Sequence, residues 1–448
     1  MTRKFSALFS QQRILGGAAV LAVLQFGASL AGLVRDRMLA KTFPALHVVD
    51  VYLASFRPSD LLFQMCIMAG FSVALVPLLA KYRAQNNQEQ MNGLLSGVVA
   101  VAALVFGVLA LLGALIFPWI APFLTQFRGE ALELYIQFGR LALLTNFLFV
   151  FGNAFGQYLI TVQRYWLYGL TPILYTLGTI AGTLFLTPYI GAYGPVVGTL
   201  LGSVVYLFIR LYGVIRAGYR VRCVCWHPDL PEMAKLMLPR MIALGALQLE
   251  LLLFDTVASG LAGGSVTVNA YARNFQSVIV GVAGIALAQS VFSLLSQSAA
   301  QHDFGRFWMY LRKSVFILLF LTIPGAVLLA LLAPVAAWLV HLSPVLPVFS
   351  TCLALYALSI PFESINHLLL RSFYSLKHTV TPAFFSVLNG AVAIACTALL
   401  VPVYGVYSLA IGFTVGQIVQ LVGLALLLPR RVAMMERLAR NSEQPVTM

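Results

Sequence analysis

The sequence predicts an all-α polytopic membrane protein of about twelve transmembrane helices, arranged as two parallel, pseudo-symmetric six-helix lobes. Three observations predict it. The 448 residues are 60% apolar and only 9% charged, with a mean hydropathy of +0.91, whereas a soluble domain carries about 25% charged residues. Apolar runs of about 20 residues recur along the whole chain, the length that crosses a bilayer as a helix; barrel strands would alternate over about 10. The second half of the chain also repeats features of the first at a fixed spacing.

Taken in order, the runs lie at roughly 14–34, 47–80, 92–118, 131–160, 169–188, 193–214, 237–261, 266–297, 312–340, 347–374, 381–401 and 405–428. The first follows a basic, polar start from Met1 to Arg13. It is too long for a signal-peptide core, so it reads as a membrane helix and no cleaved leader is expected. The second is long, and Pro58 is expected to break it. With the N-terminus in the cytoplasm, the inside segments collect 21 of the 28 Lys and Arg, Arg210 and Arg371 among them. The outside loops near 189–193, 262–265, 341–347 and 402–405 hold none. This alternation places both termini in the cytoplasm.

The repeat sets Pro188, Gly191, Tyr193, Gly198 and Gly202 against Pro402, Gly405, Tyr407, Gly412 and Gly416, every pair 214 positions apart. Thr171-Pro172 answers Thr381-Pro382 at a spacing of 210. An even number of helices per repeat gives two lobes of the same orientation with a transport path between them. The expected organisation is an N-terminal lobe at 1–215, a basic cytoplasmic linker at 216–235, a C-terminal lobe at 236–428 and a basic cytoplasmic tail at 429–448.

A charge at bilayer depth costs several kcal/mol unless it faces a watery cavity or a partner. Arg35-Asp36 therefore reads either as an anion-binding arginine oriented by its neighbour or as an interfacial pair snorkelling to water. Asp50, Arg57 and Asp60 follow in the second span, where Arg57 and Asp60 are also spaced to pair with each other. Six of the seven cations outside the inside segments fall in the first half, so a cationic cavity is expected there. Glu250 and Asp255 in the seventh span admit a cation or proton site, or hydrogen-bonded structural acids. In the tenth span Glu363 follows Pro361, with His367 one turn on, as a proton relay or a structural pair. Arg273, beside Asn274, Gln276 and Ser277, reaches a central cavity or the outer interface. Asn389 offers either a carbonyl ligand or a helix-packing contact.

The net charge of +14 follows from loop orientation, and no nucleic-acid partner is expected. The five cysteines form no disulfide framework; Cys223-x-Cys225-x-His227 has no second ligand cluster to complete a metal site. The chain lacks GxxxxGK[ST], GxSxG, HExxH and DDxxD motifs, so neither an ATPase nor an enzyme is expected.

Three passages carry a family resemblance: Gly32-Leu-Val-Arg-Asp36 with Asp50 and Gly70-Phe-Ser-Val-Ala-Leu-Val-Pro77; Leu238-Pro-Arg through Asp255-Thr-Val-Ala-Ser259 to Tyr271-Ala272 and Gly281-Val-Ala-Gly-Ile-Ala-Leu287; and Arg371-Ser-Phe-Tyr-Ser-Leu-Lys-His-Thr-Val-Thr-Pro382. The chain resembles the MurJ/MviN family of lipid II flippases, within the multidrug/oligosaccharidyl-lipid/polysaccharide exporter superfamily that also holds the MATE transporters. The resemblance implies alternating-access export of a polyprenyl-pyrophosphate-linked saccharide across a bacterial cytoplasmic membrane, in peptidoglycan synthesis, with cell-wall synthesis proteins as partners. It implies that Arg35 clamps pyrophosphate, with Asp36 and Asp50 beside it, and that Asp255 and Asn389 belong to a sodium site. Coupling to sodium or to the membrane potential replaces any resident cofactor. Arg57 and Arg273 complete the expected substrate-binding set.

The sequence also departs from the family pattern. Ser29 and Phe63-Gln64 stand where cavity arginines are expected. Ala272-Arg273-Asn274 moves an arginine by one position, which rotates it by about 100° on a helix. Ser277 and Ala393 stand where acids are expected, and twelve spans stand against the usual fourteen, so the groove for the lipid tail is not carried over. Export of another lipid-linked glycan or amphipathic cargo, or a scaffold role in envelope assembly, are the alternatives.

Overall fold

A computed structural model describes residues 2–221 and 226–443 of the chain. Every regular element among them is helical. Two compact units meet in sequence at Leu252 and Leu253.

The first unit contains α1 (Thr2–Thr42), α2 (His47–Phe63), α3 (Val76–Ala84), α4 (Gln88–Leu124), α5 (Glu130–Thr161), α6 (Tyr165–Ala181), α7 (Thr187–Ile190), α8 (Gly194–Arg216) and most of α9 (Leu230–Ala258). The second contains the end of α9, then α10 (Ser265–Ile279), α11 (Ala286–Ala300), α12 (Phe304–Leu331), α13 (Ala333–Leu339), α14 (Leu346–Ser375), α15 (Val380–Tyr404) and α16 (Tyr407–Glu443). Short elements continue their neighbours, so among the described residues the helices trace six passes before the linker and six after it. Nine stretches of the described residues are long and apolar enough to cross a membrane, one of which, Tyr165–Arg216, holds two passes. Their outward faces are apolar: Leu104, Leu111, Leu115, Trp119 and Phe123 of α4 are all exposed, as a lipid-facing surface requires.

Pro58 does not break the second pass. It sits buried inside α2, which continues to Phe63; packed membrane helices tolerate a proline because neighbouring groups satisfy the freed backbone. The irregularity comes further along, in π turns at Gln64–Met68 and Phe71–Leu75. A further π turn, Val280–Ile285, joins α10 to α11 in the second pass of the other half. Such turns each insert an extra residue and often mark functional positions.

The sequence repeat is a structural repeat. Gly191 (φ 58°, ψ −132°) and Gly405 (φ 52°, ψ −130°) adopt the same backbone conformation, one that side chains with a Cβ rarely reach. The glycines downstream let helices touch backbone to backbone. A Cβ on Gly178 of α6 would lie 2.5 Å from Gly202 Cα of α8, and one on Gly412 of α16 would lie 2.5 Å from the Ala393 carbonyl of α15.

Two cations that the sequence counts among the inside segments also bond helix backbone. Arg210 is 2% exposed. Its Nε donates to Thr171 Oγ1 (2.9 Å) and its Nη1 to the Gly152 carbonyl (2.9 Å). Arg371 donates to the Ile285 carbonyl at the end of a π turn (3.0 Å). Counting charges between apolar runs cannot show which face of a helix a terminal arginine occupies.

The linker is fastened to the first unit. Gln88 Nε2 donates to the Gly218 carbonyl, Ser96 and Tyr219 hydroxyls meet at 2.9 Å, and Tyr82 donates to Asp229 Oδ2 at 2.6 Å. His227 is 3% exposed and bonds Gln90 through Nε2 (3.0 Å). Cys223 and Cys225 lie outside the described residues. The helix α9 starts at Leu230.

Candidate functional site

In the first unit, α1 (ending at Thr42) carries Arg35 and Asp36 in its last two turns. Arg35 directs both Nε (2.9 Å) and Nη2 (2.7 Å) onto the single oxygen Asp36 Oδ1. The Asp36 side chain is 5% exposed and that of Arg35 24%. A carboxylate so placed fixes the plane of the guanidinium and keeps it in one rotamer. Since α1 packs on α6, this pair approaches Tyr175. The Tyr175 hydroxyl is within electrostatic reach of Arg35, Tyr52, Asp60 and Tyr206.

The acid side of this cluster comes from α2, which packs on α5. Asn146 Nδ2 donates to Asp60 Oδ1 (2.9 Å) and Ser59 Oγ (2.7 Å), and Ser59 passes a bond to the Ala142 carbonyl (3.1 Å). Arg57 lies close enough to act on Asp60 electrostatically. Asp50 is buried (3%) in the first turn of α2, where a carboxylate is favoured by the helix dipole. Around Tyr175, then, the structure draws together Arg35, Asp36, Arg57 and Asp60; Asp50 lies further toward the start of α2. Asn146 and Tyr175 carried no sequence signal beyond being polar residues in apolar runs.

In the second unit, Arg273 places its guanidinium carbon 4.6 Å from the centroid of Phe413 on α16, a cation–π contact. Gln276, one turn on, donates Nε2 to Glu363 Oε2 (2.6 Å) and Ser359 Oγ (3.1 Å) of α14. Asn389 is 8% exposed and donates Nδ2 to Gln420 Oε1 of α16 (3.0 Å), while its Oδ1 is buried with no hydrogen-bond donor. Asp255 is buried (3%) in the last turns of α9. The hydrogen bond that Asn389 makes is to Gln420, not to Asp255. Among the described residues, three or more His, Cys, Asp or Glu side chains nowhere cluster as a metal cage.

The model of the family described as lipid II flippase MurJ matches residues 39–441. The chain belongs to the MurJ family. Among its relatives, the lipid II flippase MurJ of Burkholderia cenocepacia is 22% identical over 403 residues, 86% of this chain and 78% of the relative. The probable lipid II flippase MurJ of Thermotoga maritima is 28% identical over 409 residues, 90% of this chain and 82% of the relative. Among solved structures, a lipid II flippase MurJ in an inward closed conformation superposes with a TM-score of 0.78 at 21% identity, covering 93% of this chain and 90% of that one. An inward-facing multidrug resistance MATE family transporter of the MOP superfamily also reaches 0.78, at 16% identity and 92% and 96% coverage. At these identities the structural likeness establishes the fold: an all-α, multi-pass MurJ- and MATE-like membrane protein. The Arg35–Asp36 pair lies just before the residues that the family model matches.

Proposed function

We propose that this protein is a flippase for a lipid II-like, polyprenyl-pyrophosphate-linked saccharide, working by alternating access in the bacterial cytoplasmic membrane with both termini in the cytoplasm. The observation that carries the reading is the Arg35–Asp36 pair: a guanidinium held in one orientation by a buried carboxylate, just past the long apolar run of α1. Arg presents a planar fork that matches two phosphate oxygens at once. Arg57, poised by Asp60, supplies a second cation from α2. Asp36 orients Arg35 and Asp50 extends the polar lining; Arg273 is the further substrate-binding candidate within the second unit. The chemistry is binding and release, with no bond made or broken, so the protein acts as a transporter and not as an enzyme. Cell-wall synthesis proteins that make or consume such a lipid are its natural partners.

For a coupling cation we assign Asp255 and Asn389. The buried Asn389 Oδ1 that lacks a donor is the kind of oxygen a sodium ion accepts, and Asp255 would supply the negative charge. Ala393 narrows this set by one ligand. Transfer of labelled lipid II across proteoliposomes tests the function directly: accelerated transfer by the wild-type protein, lost in Arg35→Ala, supports the assignment, and wild-type vesicles no faster than empty ones overturn it.

A further inference from the structure

The second unit contains a polar ladder that pyrophosphate binding does not use. Tyr356, Ser359, Glu363, His367 and Arg371 follow one another at three- and four-residue steps, so they share one face of α14. That face meets α10 and the π turn after it. Tyr356 donates to Asn269 (2.6 Å), Ser359 and Glu363 receive Gln276, and Arg371 caps the Ile285 carbonyl. His367 Nε2 stands 3.9 Å from Glu363 Oε1. The side chains of His367 and Glu363 remain 33% and 22% exposed, so neither is sealed inside the helix packing. Glu363 lies about 18 Å of helix rise before Ser375, the end of α14.

The charges facing this carboxylate, among the described residues, are Arg273 from α10 and His367 on its own helix, with Arg371 acting on His367 in turn. Arg273 does not approach within ion-pair distance of Glu363, being held over Phe413. The carboxylate is thus held by one neutral amide, faces one imidazole, and feels the Arg273 cation without pairing with it. Sodium would need several oxygen ligands, and here Gln276 presents its amide nitrogen. A proton needs only the carboxylate and a neighbour that can take it on.

We propose that Glu363 is a proton-exchange site of the second unit, with His367 as its relay toward the inner end of α14. In the ionised state Gln276 N–H stabilises Oε2. Uptake of a proton from water forms one O–H bond at Glu363. Release passes that proton to the Nε2 lone pair of neutral His367 and on to water, restoring the carboxylate.

As a coupling site this rests on the flippase reading, and the experiment separates the two. Infrared difference spectra of the reconstituted protein between pH 5 and pH 8 are expected to show a protonated-carboxyl band that disappears in Glu363→Gln, persists shifted in Glu363→Asp, and moves its midpoint in His367→Phe. Identical spectra for wild type and Glu363→Gln overturn the site. In proteoliposomes, an imposed pH gradient is expected to speed lipid transfer by the wild type and not by Glu363→Gln. Transfer that proceeds but ignores the pH gradient overturns the coupling role while the flippase reading stands. If the wild type transfers no lipid, the flippase reading fails, and the infrared result alone decides the proton site.

Discussion

Arg210 stacks on Tyr206: its guanidinium carbon lies 4.1 Å from the ring centroid, with Tyr168 on another side at 4.7 Å. The cation bridges three helices, since it also donates to Gly152 of α5 and Thr171 of α6. Its charge is balanced by carbonyl dipoles and two aromatic faces, which suffices in a low-dielectric interior where each contact counts for more. Arg210→Ala leaves buried carbonyls without donors and opens a void. The expected loss is about 2–4 kcal/mol, read as a lower melting temperature in detergent. Arg210→Lys is expected to recover little, because an ammonium cannot reproduce the planar fork.

The glycine contacts between α6 and α8 predict a steric failure of a different kind. Gly202→Val pushes its side chain into the Tyr175 carbonyl, 2.6 Å from an ideal Cβ. The helices must separate, at a cost of about 1–3 kcal/mol. Tyr175 moves with them, so thermal stability and lipid binding are expected to fall together. The equivalent change in the second unit, Gly416→Val, is expected to lower stability and disturb Asn389.

Protonation is expected to loosen the linker. His227 accepts the Asp229 amide at Nδ1 (3.3 Å) and bonds Gln90 Oε1 through Nε2, an arrangement suited to the neutral ring. Burial pulls its pKa below the ordinary histidine value, against the opposing pull of Asp229. The unfolded linker therefore binds the proton more readily than the docked one. Docking is fully favoured above about pH 6.5 and weakens as pH falls toward the lower, docked-state pKa. Tyr82, pushed up to about 12 chiefly by its bond to Asp229, stays protonated throughout. Hydrogen exchange at residues 217–221 and 226–229 is expected to accelerate between pH 7.5 and pH 5, and His227→Gln is expected to flatten that dependence.

Sodium is expected to raise the melting temperature of the wild type in a concentration-dependent way, by linkage to the folded state. Asp255→Asn is expected to remove the effect, as is Asn389→Ala. A potassium salt at equal ionic strength serves as the control, and equal shifts with both salts would contradict a specific sodium site.

The passes and the repeat were legible because both rest on local chemistry. Twenty apolar residues make a span whatever surrounds them, and Pro188-x-x-Gly191 and Pro402-x-x-Gly405 specify the same turn wherever they occur. Arg35-Asp36 stood out because two charges in an apolar run demand a reason. What stayed hidden depends on which helix faces which. Asn146 reads as a stray polar residue until α5 lies against α2 and brings it to Asp60. Arg210 reads as a loop cation until α5 and α6 close around it. Pro58 was misleading because its helix is held by its neighbours, while the π turns that do interrupt the second pass have no sequence signature. Gln276 and Glu363 were each visible, and only the packing of α10 on α14 joins them.

The most direct test of the central claim is native mass spectrometry of the detergent-purified protein with lipid II, using undecaprenyl phosphate and cardiolipin as controls, for wild type and Arg35→Ala. The account predicts selective retention of the pyrophosphate glycolipid by the wild type. Loss of the charge-assisted bonds from Arg35 is predicted to weaken it by about 2–3 kcal/mol, on the order of 30- to 150-fold. Equal retention of all three lipids by both proteins would contradict the pyrophosphate clamp.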